Sequence, residues 1–304
     1  EGQPVPQGLD EDVSILQEPL QNIYLVASGA MDMFASLDAV DQIRFSGQKQ
    51  ENWYIQTAKD AMAAGDMIYA GKYSKPDYEL LVSEGCDLAI ENRMITHSPE
   101  VVEMLQSFDI PVMIEYSSYE QHPLGKVEWV KFFGALTGKE AKAEEAFAEQ
   151  TEILEKVESG EKTGKTIAFF YVTSNGLIQV RQSTDYIPKL IELAGGRYIF
   201  ENLEDSGSGR STLNMQVEDF YAGAKDADIL IYNSSIDGGV TTVDELIGKC
   251  NILKDFKAVQ EGQVYCTTND MYQQSMAVGY LLQDMHTVLT DDDTAKLRYL
   301  FLLQ

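Results

Sequence analysis

The stretch IYLVASGAMDMFASLDAVDQIRFSG, residues 23–47, decides the fold. It opens on the apolar run IYLVAS (23–28), turns at Gly29, continues with a helix-compatible segment at 30–37 and returns to an apolar run at QIRFSG (42–47). Strand, short turn, helix and second strand make the βαβ unit of a parallel sheet. The unit repeats outward from there. Helical patterns at 53–64, 77–84 and 99–108 alternate with strand patterns at 67–71, 88–92 and 112–117. The alternation resumes further on, with strands predicted at 166–172, 177–182, 229–233 and 264–268. Helices are predicted beside them at 186–193, 217–224, 243–250, 276–289 and 294–303. Right-handed crossovers then cover both faces of each sheet with helices.

Between the two series runs one long helical pattern at 125–158, with Val127, Val130, Phe133, Leu136, Ala143, Phe147, Leu154 and Val157 recurring at spacings of three and four. Gly134 and Gly138 mark places where it bends or breaks. Thirty-odd residues at about 1.5 Å each reach roughly 50 Å, more than one lobe needs. The predicted fold class is therefore α/β, with two Rossmann-like lobes of parallel-type sheets joined by a single long helix. The expected divisions are an N-terminal tether at 1–19, a first lobe at 20–124, the connecting helix at 125–160 and a second lobe at 161–304. A rigid connector of this kind implies only a small closure motion.

Composition narrows the function classes. The 304 residues carry 49 acidic and 23 basic side chains, a net charge of -26, so a phosphate-neutralising nucleic-acid binder is excluded. No apolar run is long enough to span a bilayer. The polar, acidic start EGQPVPQGLDEDVSILQE reads as a tether or trimmed terminus rather than a signal peptide. The three cysteines, Cys86, Cys250 and Cys266, form no disulfide framework and no metal-binding spacing, although Cys250 and Cys266 are left open as a pair.

Catalytic motifs are missing. SGEKTGKT (159–166) has three residues, not four, between its first and second glycines and precedes a strand, so it reads as a loop and not a phosphate cradle. SGSGRS (206–211) reads as a flexible loop. No GxSxG or HExxH element accompanies His97, His122 or His286. No metal site is expected; His122 alone among the histidines lies just past a strand end among tyrosines, and it, like Tyr116, Tyr119 and Tyr232, is of a type that ligates iron.

Ligands of parallel α/β sheets lie beyond the carboxyl ends of the strands. The residues predicted there are Met31, Trp53, Tyr54, Arg93, Tyr116 and Tyr119 in the first half, and Tyr171, Arg181, Arg210, Tyr232 and Tyr272 in the second. Aromatic faces with a few guanidinium groups suit a bulky, partly aromatic, anionic ligand.

Several of these segments resemble one family. Residues 23–47 look like the opening of the helical-backbone class (class III) of periplasmic binding proteins, which serve ABC importers of iron–siderophores, haem and cobalamin. DYELLVSEGCDLAIEN (77–92) resembles the family's Glu-led helix followed by a strand, with Cys86 where the family usually has Pro. VEDFYAGAKDADILIYN (217–233) is similar in the second lobe, and SYEQHPLGKVEWVKFFGALTGKEAKAEEAF (118–147) resembles the entry into the connecting helix. The resemblance implies an extracytoplasmic substrate-binding protein, not an enzyme. Such a protein is a monomer that captures an iron chelate, ferric siderophore or haem, between two lobes, with a corrinoid as the alternative. It also implies permease subunits as partners, with Glu79 and Glu218 as the docking carboxylates, and no resident cofactor. A lipid anchor on a cysteine upstream of Glu1 fits the same expectation. An enzyme on a similar two-lobed scaffold is the competing class.

Overall fold

The computed structural model describes residues 4–10, 13–203, 211–291 and 294–304. They divide into two compact units. The first comprises Glu1–Ser118, Glu128–Ala148 and Gln273–Met276, and the second Tyr119–Val127, Glu149–Tyr272 and Ala277–Gln304.

In the first unit, β1 (Ile23–Leu25), β2 (Ile43–Ser46) and β3 (Ile68–Tyr69) precede a small hairpin of β4 (Gly71–Lys72) and β5 (Lys75–Pro76). Strands β6 (Leu88–Asn92) and β7 (Val112–Glu115) follow. The main sheet has the order β3-β2-β1-β6-β7, and all its pairings are parallel. Helices α1 (Ala30–Ser36), α2 (Gln56–Ala64), α3 (Tyr78–Ser83) and α4 (Pro99–Ser107) make the crossovers. The strand order reverses between β1 and β6, which creates the switch-point crevice of a doubly wound sheet. Local chemistry sets the helix ends. Asp77 accepts the Leu80 N–H to start α3, and Gly65 ends α2 in the left-handed region at φ +82°.

The helical stretch expected as one rod is two helices, α5 (Pro123–Thr137) and α6 (Glu140–Glu158). The break is at Gly138, whose φ of +67° no helix interior accommodates. There the Lys139 N–H turns back to Gly134 O at 2.7 Å. Gly134 has no room for a side chain, because a Cβ there would lie 2.5 Å from that of Ala143. The glycine thus lets the two helices approach closely. The division between the units falls inside α6, after Ala148.

The second unit holds β8 (Thr166–Val172), β9 (Ile178–Arg181), β10 (Arg197–Tyr198), β11 (Thr212–Met215), β12 (Ile229–Tyr232), β13 (Val264–Thr267) and β14 (Leu300–Leu302). Its helices are α7 (Tyr186–Leu193), α8 (Val217–Ala224), α9 (Val243–Lys249), α10 (Lys257–Gln260) and α11 (Val278–Thr290). The sheet runs β11-β9-β8-β12-β13-β14, with β10 added beside β8. It is mixed and not wholly parallel: β8, β10, β12 and β13 pair in parallel, while β9, β11 and β14 join antiparallel.

Two further expectations change here. Residues 294–303, expected as a helix, supply the edge strand β14 after a single 3-10 turn. The buried Asp284 carboxylate accepts the N–H groups of Arg298, Tyr299 and Leu300 at 2.9, 2.6 and 3.1 Å, and the chain then pairs with β13. The bulky run LRYLFLL satisfies either period over so short a length, and the open edge of β13 decides. All three cysteines are free, so Cys250 and Cys266 do not pair.

Candidate functional site

The loops after the parallel strands hold most of the expected ligand-facing residues. In the first unit, Tyr54 is exposed while its backbone is held by the fully buried Gln273. The Gln273 amide accepts the Tyr54 N–H at 2.9 Å and donates to Asn52 O at 2.9 Å. The ring is therefore presented from a fixed main chain, with Lys59 Nζ 5.9 Å from its centroid. Beyond β6, Asn92 Oδ1 accepts the Met94 N–H at 2.8 Å and shapes the turn that carries Arg93, which is half-buried. Tyr116, just past β7, is exposed.

Two expected residues of this unit pack inward instead. Met31 on α1 and Trp53 are fully buried, and the Trp53 indole donates to Ser46 Oγ at 3.0 Å. Both carry the loops and present no face to solvent. A large apolar side chain beside a strand end reads the same in sequence whether it faces the core or a ligand.

Between Tyr24, Tyr78 and the end of β6 lies Glu91, 0% exposed, with neither carboxyl oxygen hydrogen-bonded. Burial pushes its pKa up to about 8. The Tyr24 hydroxyl nearby donates to Gly71 O at 2.9 Å, and burial, aided by the Glu91 charge, raises its pKa strongly.

In the second unit Tyr119 and Tyr272 are exposed, and Tyr171 is half-buried with its ring 6.2 Å from that of Tyr232. Tyr232 itself is fully buried. Its hydroxyl donates to Asp237 Oδ2 at 2.9 Å, and Lys249 Nζ lies 2.5 Å from the same carboxylate. Burial opposes ionisation of Asp237, but Lys249, the Tyr232 hydroxyl and the Gly239 N–H outweigh it and hold the carboxyl below the usual range. Tyr232 is thus an anchor for the 234–240 loop, not a lining residue.

Arg181 is also engaged within its own unit. Its guanidinium lies 3.4 Å from Asp185 and 5.7 Å from the Phe169 ring, while Asp185 caps α7 through the Ile187 N–H at 2.9 Å. Arg210, expected beside it, lies outside the described residues. His122 is exposed, and its Nδ1 accepts the Leu124 N–H at 3.2 Å at the start of α5. Among the described residues no group of three His, Cys, Asp or Glu side chains is placed to hold a metal ion.

Glu79 and Glu218 occupy equivalent places. Each is exposed in the first turn of a short helix, α3 in one unit and α8 in the other, where the helix dipole favours a carboxylate. Neither takes part in an ion pair among the described residues.

The sequence reading missed Lys126 in the first turn of α5. It is buried, and its ammonium lies 4.6 Å from the Tyr186 ring centroid. A signal was present: Lys126, Val130, Phe133 and Thr137 share one face at helical spacing, and a cation on an apolar stripe is rare.

A sheet with crossover helices in each unit, with tyrosine and arginine side chains at the strand-end loops, is the frame in which α/β proteins bind ligands. Residues 27–271 match the periplasmic binding protein family, and the chain belongs to it. An uncharacterised lipoprotein of Methanocaldococcus jannaschii is 24% identical over 306 residues, covering 94% of this chain and 70% of that one. The periplasmic haem-binding protein HutB of Vibrio cholerae superposes with a TM-score of 0.69 at 14% identity, covering 88% of this chain and 98% of its own. An ABC-type Fe3+-hydroxamate transport system protein of Saccharomonospora viridis gives 0.65 at 17% identity, covering 89% and 93%. At such identities these structural likenesses define the fold.

Proposed function

We propose that this chain is the extracytoplasmic substrate-binding component of an ABC importer, that it takes up an iron chelate, ferric siderophore or haem, and that it hands the chelate to the permease. The observation that carries this reading is the set of exposed tyrosines, Tyr54, Tyr116, Tyr119 and Tyr272, on the loops next to the strand ends of both sheets. Exposed phenol rings stack on flat or aromatic ligands and offer hydroxyls to a metal or its chelator. Arg93, and Arg210 outside the described residues, supply cationic groups for carboxylate or hydroxamate oxygens.

Glu79 and Glu218 are the docking carboxylates in this reading. One exposed acid per unit fixes the orientation of the binding protein against basic residues of the permease and speeds encounter. The protein works as a monomer. The lipoprotein relative supports a lipid anchor at the outer face of the membrane. No helix among the described residues is long and apolar enough to cross a membrane.

A corrinoid is the second ligand class, because it shares the demand for a wide aromatic surface. Titration with haem, ferric hydroxamate and catecholate siderophores, and cobalamin, followed by visible absorption and by thermal shift, separates these ligands. Saturable binding of an iron chelate is the expected result. Binding of cobalamin alone moves the assignment to the corrinoid, and binding of none of them rejects the reading.

A further inference from the structure

Four carboxylic acids are buried among the described residues: Glu91, Glu115, Asp185 and Asp284. Three of them are anchored by backbone N–H groups. Glu115 accepts the Ser117 N–H, Asp185 the Ile187 N–H with Arg181 beside it, and Asp284 the N–H groups of Arg298, Tyr299 and Leu300. Glu91 is the exception. It is 0% exposed, and neither carboxyl oxygen has a hydrogen-bond partner among the described residues. Without donors, an ionised carboxylate is far more costly to bury than a neutral carboxylic acid.

Strand alternation fixes the face on which Glu91 lies. Ala89, two residues earlier on β6, belongs to the core cluster with Tyr24, Leu81, Val101 and Leu105. Ile114, the register partner of Glu91 on β7, packs against the same cluster. Glu91 therefore faces the layer formed by α3 and α4. The titratable groups around it offer no cation. From β1 comes Tyr24, whose hydroxyl proton goes to Gly71 O at 2.9 Å, and from α3 comes Tyr78. Tyr69 of β3, Cys86 before β6 and Glu100 of α4 stand behind these two. The cationic side chains of the adjoining hairpin and turn, Lys72, Lys75, Arg93 and His97, form no ion pair or hydrogen bond with Glu91.

Two elements adjoining Glu91 are lightly held. Helix α3 has six residues and one fully buried side chain, Leu81. The 3-10 turn Arg93–His97, which continues β6, has one as well, Ile95. Strand β6 itself is paired on both sides, by β1 and β7. Elements with few buried apolar contacts open before the strands they cover.

We propose that Glu91 is a buried proton switch: with the carboxyl protonated, α3 and the 93–97 turn are seated on the sheet, and with it ionised, the carboxylate draws in water and both elements loosen. The only chemical step is transfer of the carboxyl proton to solvent. The loosened form titrates as an ordinary carboxyl near 4.5 and the seated form at about 8. Opening therefore becomes easier as pH rises between these values and levels off above the upper one. Helix α3 carries Glu79 and the turn carries Arg93, so the switch acts on the elements to which the proposed function gives docking and an anionic contact.

Hydrogen–deuterium exchange on the full chain, with neither ligand nor permease present, tests the switch. Protection factors are corrected for the intrinsic pH dependence of exchange. In wild type, amides of 78–83 and 93–97 are expected to be less protected than those of β1 and β2. Their protection is expected to fall about tenfold per pH unit from about pH 5 to about pH 8. Glu91→Gln and Glu91→Met, neutral side chains of similar length, are expected to remove that slope; the second keeps the test open if the first does not fold. No slope in wild type, or the same slope in a neutral variant, overturns the switch. Protection of 78–83 and 93–97 equal to that of β1 and β2 throughout means unfolding of the whole unit and overturns it too. If sodium or potassium chloride removes the slope where choline chloride does not, a metal ion replaces the proton and the switch is likewise overturned. Because exchange is read in the free protein, the switch can stand while no chelate binds, and it can fail while the transport reading holds.

Discussion

The main sheet of the first unit is parallel throughout, whereas the second sheet turns antiparallel at β9, β11 and β14. Link length explains the difference at β9. Each crossover in the first sheet is long enough to hold a helix, but β8 and β9 are joined by residues 173–177 alone, too few for a parallel return. The units also treat buried charge differently. In the second, Asp284 accepts three backbone N–H groups, and Arg181 and Asp185 share one pair. The first leaves the Glu91 carboxyl without any partner. Similar folds thus place their electrostatic cost at different points, while both present an exposed glutamate in a first helical turn.

That last equivalence is the first to break. Replacing both Glu79 and Glu218 by alanine is expected to abolish ligand uptake in reconstituted vesicles while ligand affinity stays unchanged. Either single change is expected to leave partial uptake. Loss of ligand affinity in the double variant would remove both residues from the docking role.

Asp284 tests whether the second unit depends on its satisfied charge. Asp284→Ala strands three N–H groups at the start of β14 and is expected to cost roughly 3–5 kcal/mol in urea unfolding. Asp284→Asn, whose amide oxygen still accepts, should recover part of the loss.

Glu91 is the counterpart in the first unit, and its effect depends on pH. Its folded pKa of about 8 exceeds the usual carboxylate value of 4.5, so the folded state holds the proton more tightly than the unfolded chain. The linked stability is complete below 4.5 and falls as pH rises to about 8. Glu91→Gln is expected to flatten this decline, on the order of 1 kcal/mol per pH unit, and to be the more stable protein at pH 8. Denaturation curves from pH 4 to 9 check it, and parallel curves for the two proteins would contradict it.

Glycines give the smallest contrast. Gly134→Ala, in the first unit, forces a Cβ against Ala143 and is expected to cost about 1–3 kcal/mol. Gly248→Ala, on α9 of the second, meets nothing within 4 Å and is expected to gain up to about 1 kcal/mol from helix propensity. Melting temperatures of the two variants measure both.

Much of this architecture was legible. LAIEN at 88–92, TIAFFYV at 166–172 and the helices 186–193 and 217–224 fall where the patterns placed them, because continuous apolar runs and amphipathic stripes are local properties. Residues 294–303 were not legible as a strand, since their period is ambiguous and the neighbouring edge of β13 settles it. The candidate site was legible by type of residue and by position in the βαβ repeat. It was not legible by direction: Tyr54, Tyr116, Tyr119 and Tyr272 are exposed, and Met31, Trp53 and Tyr232 are buried, although all lie at or after strand ends.

By itself the sequence determined the α/β class, the resemblance to the periplasmic binding proteins and the place of Glu79 and Glu218, because periodicity and helix-end chemistry act within a few residues. Tertiary structure alone decided the mixed pairing of the second sheet, the break at Gly138, and the charge balance that satisfies Arg181 but leaves the Glu91 carboxyl without a partner. Burial and pairing depend on residues distant along the chain, here 126 with 186 and 166 with 228, and no local pattern carries that information.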